Sequence, residues 1–314
     1  MQEIQEALAK ARLDPYAFFG VTDSVLTKWQ RSAHPDRFVG TPNEAQAAEC
    51  FKEFRVLYDK TTTKETVDGY RVLEKLARGD LCDVFVVLDS EGNRRVLKKA
   101  FVKGAKAVLR KERKAVDALQ NSTTIPAAVK LLLPTIVDGD DETNLLVHSG
   151  TDVTLQRLLA EYPEGLDGRH IVWLFKRILL ALTWVHDSGV VHGAITPEHI
   201  LVCKPSHSIV MLDWIHSGKD GDKISVVPAK YKHMYDQVKD TKTLTPELDI
   251  SMAAQSIKTL LHKDCPKRLA AFVNALCSIG NQGVDGRPKA WVFHQELTEI
   301  AAVTYGKPKF VKLV

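Results

Sequence analysis

Gly189–Val202 reads GVVHGAITPEHILV. Before it, from His170 to His186, apolar residues recur at helical spacing; after it, SIVMLDW (Ser208–Trp214) reads as a strand. The greasiest part of the preceding run, ILLALTWVH from Ile178, is too short to span a bilayer and reads as a buried helix. Glycine and proline inside the stretch mark it as a loop. A loop that carries His192, Gly193, Ala194, Thr196, Glu198 and His199 between a buried helix and a strand decides how the rest of the chain is read.

Working outward toward the N-terminus, YRVLEKLARGDLCDVFVVLDSEGNRRVLKKA from Tyr70 contains β-rich runs, and Ser90–Asn93 sits between two of them as in a hairpin. A helix is expected over VLRKERKAVDAL, with Val116 and Leu119 at helical spacing, then strands around AVKLLL and NLLVHS. Beyond Leu155 the chain is mostly helical. The first sixty residues are expected to be all-helical. Ile4, Ala7, Leu8 and Ala11 share one face, SVLTKWQRSA forms a second helix, and Ala47, Phe51, Phe54 and Leu57 line a third. HPDRFVGTPN makes a loop, and the threonine-rich TTTKETVDG, residues 61–69, reads as a linker.

Composition sets wider bounds. The 314 residues carry 43 basic and 39 acidic side chains, too even a balance to announce a nucleic-acid or membrane partner. With 45% apolar residues there is material for a sizeable core. Five scattered cysteines without C-x-x-C or metal spacing argue for reduced thiols in a cytosol-like compartment. The start of the chain is charged and lacks the apolar core of a signal peptide, so a cytoplasmic location is expected.

From Tyr70 to about Val303 the landmarks resemble, in order, those of a protein kinase. LARGDLCDV lies where kinases carry the glycine-rich loop. Only Gly79 is retained; Ala77 and Cys82 replace the outer glycines and Asp80 adds a charge, which makes a poor phosphate cradle. Lys98 matches the strand lysine, with Lys99 as the adjoining alternative, and Glu112 matches its helix partner. HGAITPEHIL matches the catalytic loop. There the resemblance implies that Ala194 replaces the proton-accepting aspartate, Gly193 an arginine, Thr196 a phosphate-binding lysine and His199 a magnesium-binding asparagine. No catalytic residue is therefore assigned, and these degenerate positions mark a pseudokinase. Glu198 is the one other acid in the loop that could act as base.

Asp213-Trp214-Ile215 occupies the D-F-G place, where Asp213 could still hold one magnesium ion. YKHMYDQ stands near the A-P-E position, Arg287-Pro288 near its arginine partner, and Asp249 anchors the large buried helix. By the same resemblance Gly79, Lys98, Glu112 and Asp213 are the candidates for binding ATP.

The first helices resemble a J-domain, the module that docks on Hsp70 chaperones and stimulates their ATP hydrolysis. His34-Pro35-Asp36 lies between two helices, preceded by DPYAFFGV and TKWQRSA and followed by Arg37-Phe38. The resemblance implies that His34, Pro35 and Asp36 meet the chaperone, with Lys28 and Arg31 facing acidic surface. Thirteen residues separate Gly20 from His34, about two helical turns fewer than the family carries.

The fold class expected is α+β: a small all-α J-domain over residues 1–60, then a two-lobed protein-kinase-like domain over 70–314. The leading functional expectation is an Hsp70 co-chaperone whose pseudokinase binds a client or partner protein. The alternatives are a nucleotide-binding pseudokinase switch that holds ATP and magnesium, and an unconventional serine/threonine kinase.

Overall fold

The computed structural model describes residues 1–13, 15–19, 24–61, 66–102, 104–147, 152–204, 206–224, 227–279 and 289–313. The chain is mixed α+β, running from N-terminal helices through antiparallel strands to a mainly helical C-terminal part. It divides into two compact units: Met1–Arg78 with Asp83–Leu97, and Gly79–Cys82 with Lys98–Val314.

In the first unit, α1 (Gln2–Leu13), α2 (Pro15–Phe19), α3 (Ser24–Ser32) and α4 (Glu44–Thr61) share an apolar core. Ile4, Ala7, Leu8 and Ala11 of α1 are buried as their spacing predicts. Phe19 and Phe54 are fully buried and sit in a ring cluster with Phe18, Trp29 and Tyr58; the Trp29 and Phe54 rings stack at 5.9 Å. Burial of each such ring contributes roughly 1.5–3 kcal/mol. Between α3 and α4, Pro35–Arg37 forms a single 3-10 turn.

Four strands follow, β1 (Thr66–Val67), β2 (Tyr70–Arg78), β3 (Cys82–Leu88) and β4 (Arg94–Ala100), neighbours in that order; Cys82 of β3 and Lys98–Ala100 of β4 are counted with the second unit. The turn between β3 and β4 closes through Asp89, which accepts from the amides of Glu91 and Asn93, with Gly92 at φ +81°. Residues 61–69, expected to be a linker, are structured at both described ends. Thr61 closes α4, and Thr66–Val67 pair with Arg71 and Tyr70. The two residues between them, Asp68 and Gly69, both take positive φ. Asp-Gly is the preferred pair for such a two-residue hairpin turn.

In the second unit, α5 (Ala105–Gln120) turns Leu109, Glu112, Val116 and Leu119 inward. AVKLLL, expected as a strand, is instead α6 (Ala127–Lys130) followed by a turn. Val129, Leu132 and Leu133 are the buried residues and Leu131 is exposed, which is a helical spacing of i, i+3, i+4 rather than an alternation. The strand lies further on: β5 (Ile136–Gly139) pairs antiparallel with β6 (Thr143–Val147), the latter as expected from NLLVHS.

β7 (Val153–Thr154) leads directly into α7 (Leu155–Glu161), capped by the Thr154 hydroxyl, and α8 (Gly168–Asp187) follows. α8 is the expected buried helix, with Ile171, Leu174, Phe175, Ile178, Leu179, Leu182 and Val185 inside. β8 (Ile200–Cys203) and β9 (Ser208–Met211) complete a three-stranded antiparallel sheet in the order β7-β8-β9. α9 (Pro246–Lys258) is buried along most of its length, and α10 (Lys267–Leu276) and α11 (Ala290–Tyr305) finish the unit. Among the described residues no helix is long and apolar enough to cross a membrane.

Candidate functional site

The site is assembled inside the second unit, from the end of β4, the middle of α5, the loop before β8 and the segment after β9. Lys98 and Glu112 meet as the sequence predicts, with Nζ 2.7 Å from Oε1. Glu112 is fully buried and its other contacts fix it: Oε1 accepts the Trp214 amide at 3.0 Å and Oε2 accepts Asn144 Nδ2 at 2.8 Å. Asn144 in turn accepts from Arg113 at 2.8 Å. Neither Asn144 nor Arg113 carried any sequence signal, since both act by position across β6 and α5.

Asp213 stands at φ +65° and also binds Lys98, through Oδ1. Its Oδ2 lies 3.1 Å from His199 Nε2 and 3.8 Å from His216 Nε2. Thus Asp213, expected as a seat for magnesium, has both oxygens engaged by protein nitrogens. Burial alone would push this carboxyl up. The charge of Lys98, then His199 and His216, outweighs burial and holds it well below the usual carboxylate range. Burial likewise works to lower Lys98, but Asp213 and Glu112 together hold it above its ordinary value. Lys98 is thus a closed ion-pair centre, and His216, three residues beyond Asp213, is a member the sequence reading missed.

The loop before β8 is held from below by Asp249. This fully buried acid accepts the His192 and Gly193 amides, both at 2.7 Å, and lies 3.0 Å from His186 Nε2. Gly193 sits at φ +78°, and a Cβ there would meet the His216 carbonyl oxygen at 2.9 Å, so no arginine could replace it in this backbone. Tyr235 donates to the Gly193 carbonyl at 2.7 Å, and Ser256 to that of Ile195 at 2.9 Å.

Ala194 and Thr196 are fully buried. The Thr196 hydroxyl is buried and has no partner among the described residues. Glu198 is turned outward and paired with Lys230 at the surface. It does not join Asp213. At the other end of the site, the Gly79 amide donates to the Cys82 carbonyl at 2.9 Å, closing a tight turn on itself. Cys82 packs with Ala105, Leu109 and Ile215, so its side chain serves the core.

His192 fits the structural role expected of it. Nε2 donates to the Leu212 carbonyl at 2.9 Å and Nδ1 accepts the Ala194 amide at 3.3 Å, an arrangement that needs a neutral ring. Burial pushes its pKa down to about 4 from an ordinary 6.5. Between those values the unfolded chain binds more protons, so stability is whole above the upper value and falls as pH drops toward the lower. A loss of about 3 kcal/mol is expected across this window from His192. Urea midpoints at pH 7 and pH 4.5 should differ, and His192→Gln should flatten that difference. His170, His207 and His294, also lowered by burial, leave a residual slope.

No protein-family model matches the chain. It is 25% identical over 173 residues to a probable serine/threonine-protein kinase of Dictyostelium discoideum, a match that covers 54% of this chain. The match takes in 27% of that relative, so this chain answers to about a quarter of its length. The chain contains a protein-kinase-like domain.

The residues singled out on the first helices are at the surface. Asp36 is 84% exposed at the side chain and His34 46%, while Pro35 is half-buried between them. His34 Nδ1 accepts the Asp36 amide at 3.3 Å, and its ring meets Phe51 edge-on at 5.4 Å. Lys28 and Arg31 are both exposed on α3, the former over the Trp29 ring at 5.0 Å. Gly20, Arg287 and Pro288 lie outside the described residues.

Proposed function

We propose that this chain is a J-domain-type partner of an Hsp70 chaperone. Residues 1–60 would form the docking module, and the kinase-like domain over 70–314 would serve as a binding platform for a client protein rather than as a phosphotransferase. One observation carries the non-catalytic half. The position of the catalytic base is a buried alanine, Ala194, while Asp249 is spent on the loop's own amides and Asp213 is tied to Lys98 and His199. Phosphoryl transfer depends on a group that orients the acceptor hydroxyl and on metal-borne charge, and this arrangement supplies neither. The docking half is supported by the exposed His34-Pro35-Asp36 turn. The proline and the Nδ1 hydrogen bond hold the turn in shape before any partner arrives, so little ordering entropy is lost on docking.

A nucleotide-binding switch is the second reading, favoured by the intact Lys98–Glu112 pair. The Dictyostelium relative is described as a probable serine/threonine-protein kinase; here Ala194 and the outward turn of Glu198 weigh against such an activity. Two assays on the purified protein test the proposal. Radiolabelled ATP with generic substrates should yield no phosphoprotein, with or without Mg²⁺. A matched Hsp70 should hydrolyse ATP faster when the protein is added, and His34→Gln should abolish the rise. Metal-dependent phosphoprotein would overturn the first half; an unmoved Hsp70 rate would overturn the second.

A further inference from the structure

Magnesium takes oxygen ligands in a near-octahedral shell and is reached in kinase-type sites through one or two carboxylates. The donor set present does not fit that requirement. Among the described residues no group of three or more His, Cys, Asp or Glu side chains is placed to hold a metal ion. Asp213, the one carboxylate offered, spends Oδ1 on Lys98 and Oδ2 on His199. The His199 ring is held from its far side as well, since Nδ1 lies 2.8 Å from the Ala194 carbonyl oxygen. A carbonyl and a carboxylate both accept, so each ring nitrogen lies against an acceptor.

We propose that His199 is a resident substitute for the metal ion: it closes Asp213 to divalent cations, and its removal opens that carboxylate. The geometry gives the ring its reach. The backbone of the same residue accepts the Leu212 amide at 2.7 Å, which locks the loop beside the residue preceding Asp213. Moving the ring aside for an approaching ion would give up its contacts with Asp213 and the Ala194 carbonyl. A nitrogen donor at this position is also a poor ligand for a hard, oxygen-seeking cation. The inference concerns the kinase-like domain alone and stands independently of the chaperone reading.

Mn²⁺ is the probe, because its free form is read directly by electron paramagnetic resonance while the full chain is titrated. The wild-type protein should leave millimolar Mn²⁺ free. His199→Asn, which puts an oxygen ligand beside Asp213, should raise affinity by about tenfold or more, and adding Asp213→Asn should erase that gain. His199→Gln is the second variant, and far-UV circular dichroism confirms that each is folded. Wild-type Mn²⁺ binding that Asp213→Asn removes would overturn the proposal. So would folded His199→Asn and His199→Gln proteins that both bind no better than wild type. In either case the buried Ala194 still denies the site a base, so the non-catalytic reading and this one fail separately.

Discussion

Lys98→Met should lower the stability of the kinase-like domain by about 3–5 kcal/mol, the usual result of removing one partner from a buried ion pair. The size follows from what is left behind. Glu112 is fully buried and Asp213 nearly so, and both bind the same ammonium group. Methionine fills the volume of the lysine stem but leaves Glu112 without a cation and Asp213 with only His199 and His216 beside it. Relief can come only from protonation or from opening the structure to water. Urea denaturation at pH 7 reads the loss directly. Lys230→Met, which breaks the surface pair with Glu198, is the control and should cost about 0–1 kcal/mol. Equal losses from the two variants would show that the buried cluster is not holding the domain together.

Asp249→Ala should be of comparable severity, about 3–5 kcal/mol. The side chain is inaccessible to solvent and takes hydrogen bonds from two consecutive backbone amides, His192 and Gly193. Alanine would strand both donors in the interior, and each buried donor without a partner costs about 1–3 kcal/mol. The Asp249 carboxylate also lies in the first turn of α9, where the helix dipole favours negative charge. Asp249→Asn keeps one acceptor but turns an NH₂ group toward one of the two amides, so it should fall between alanine and wild type. The same denaturation series measures both. A midpoint for the alanine variant within error of wild type would contradict the anchoring role.

The parts of this structure that could be read from the sequence are those set by local rules. Helical spacing placed Ile4, Ala7, Leu8 and Ala11 on the buried face of α1, and it placed Val116 and Leu119 likewise on α5. Lys98 and Glu112, fourteen residues apart on a strand and the helix after it, were paired through the resemblance to kinases, and they do meet. AVKLLL was misread because an apolar run of that length has no decisive period unless Leu131 is set aside as exposed. The Asp68-Gly69 hairpin was legible from its turn residues but was hidden by the polar threonines before it.

The contacts that decide the chemistry of the site were the least legible. His199 reaches Asp213 across a sheet hairpin, and Asn144 reaches Glu112 from a different strand. No periodicity encodes such meetings. A partial clue was present in the histidines His199 and His216, which flank the only acid of the D-W-I segment.

Trp214 follows Asp213 and is completely sealed, with its amide on Glu112, its indole nitrogen on the Met211 carbonyl and its own carbonyl taken by Ser217. Unseating it would return about 150–250 Å² of ring surface to water, a penalty of about 4–6 kcal/mol before any hydrogen bond is counted. At that penalty the flipped-out conformer is held by about one molecule in a thousand, or fewer. Regulation that works by swinging this segment in and out, with one arrangement for rest and another for work, has almost no population to select from. Whatever binds beside Asp213 would meet the tryptophan sealed in nearly every molecule.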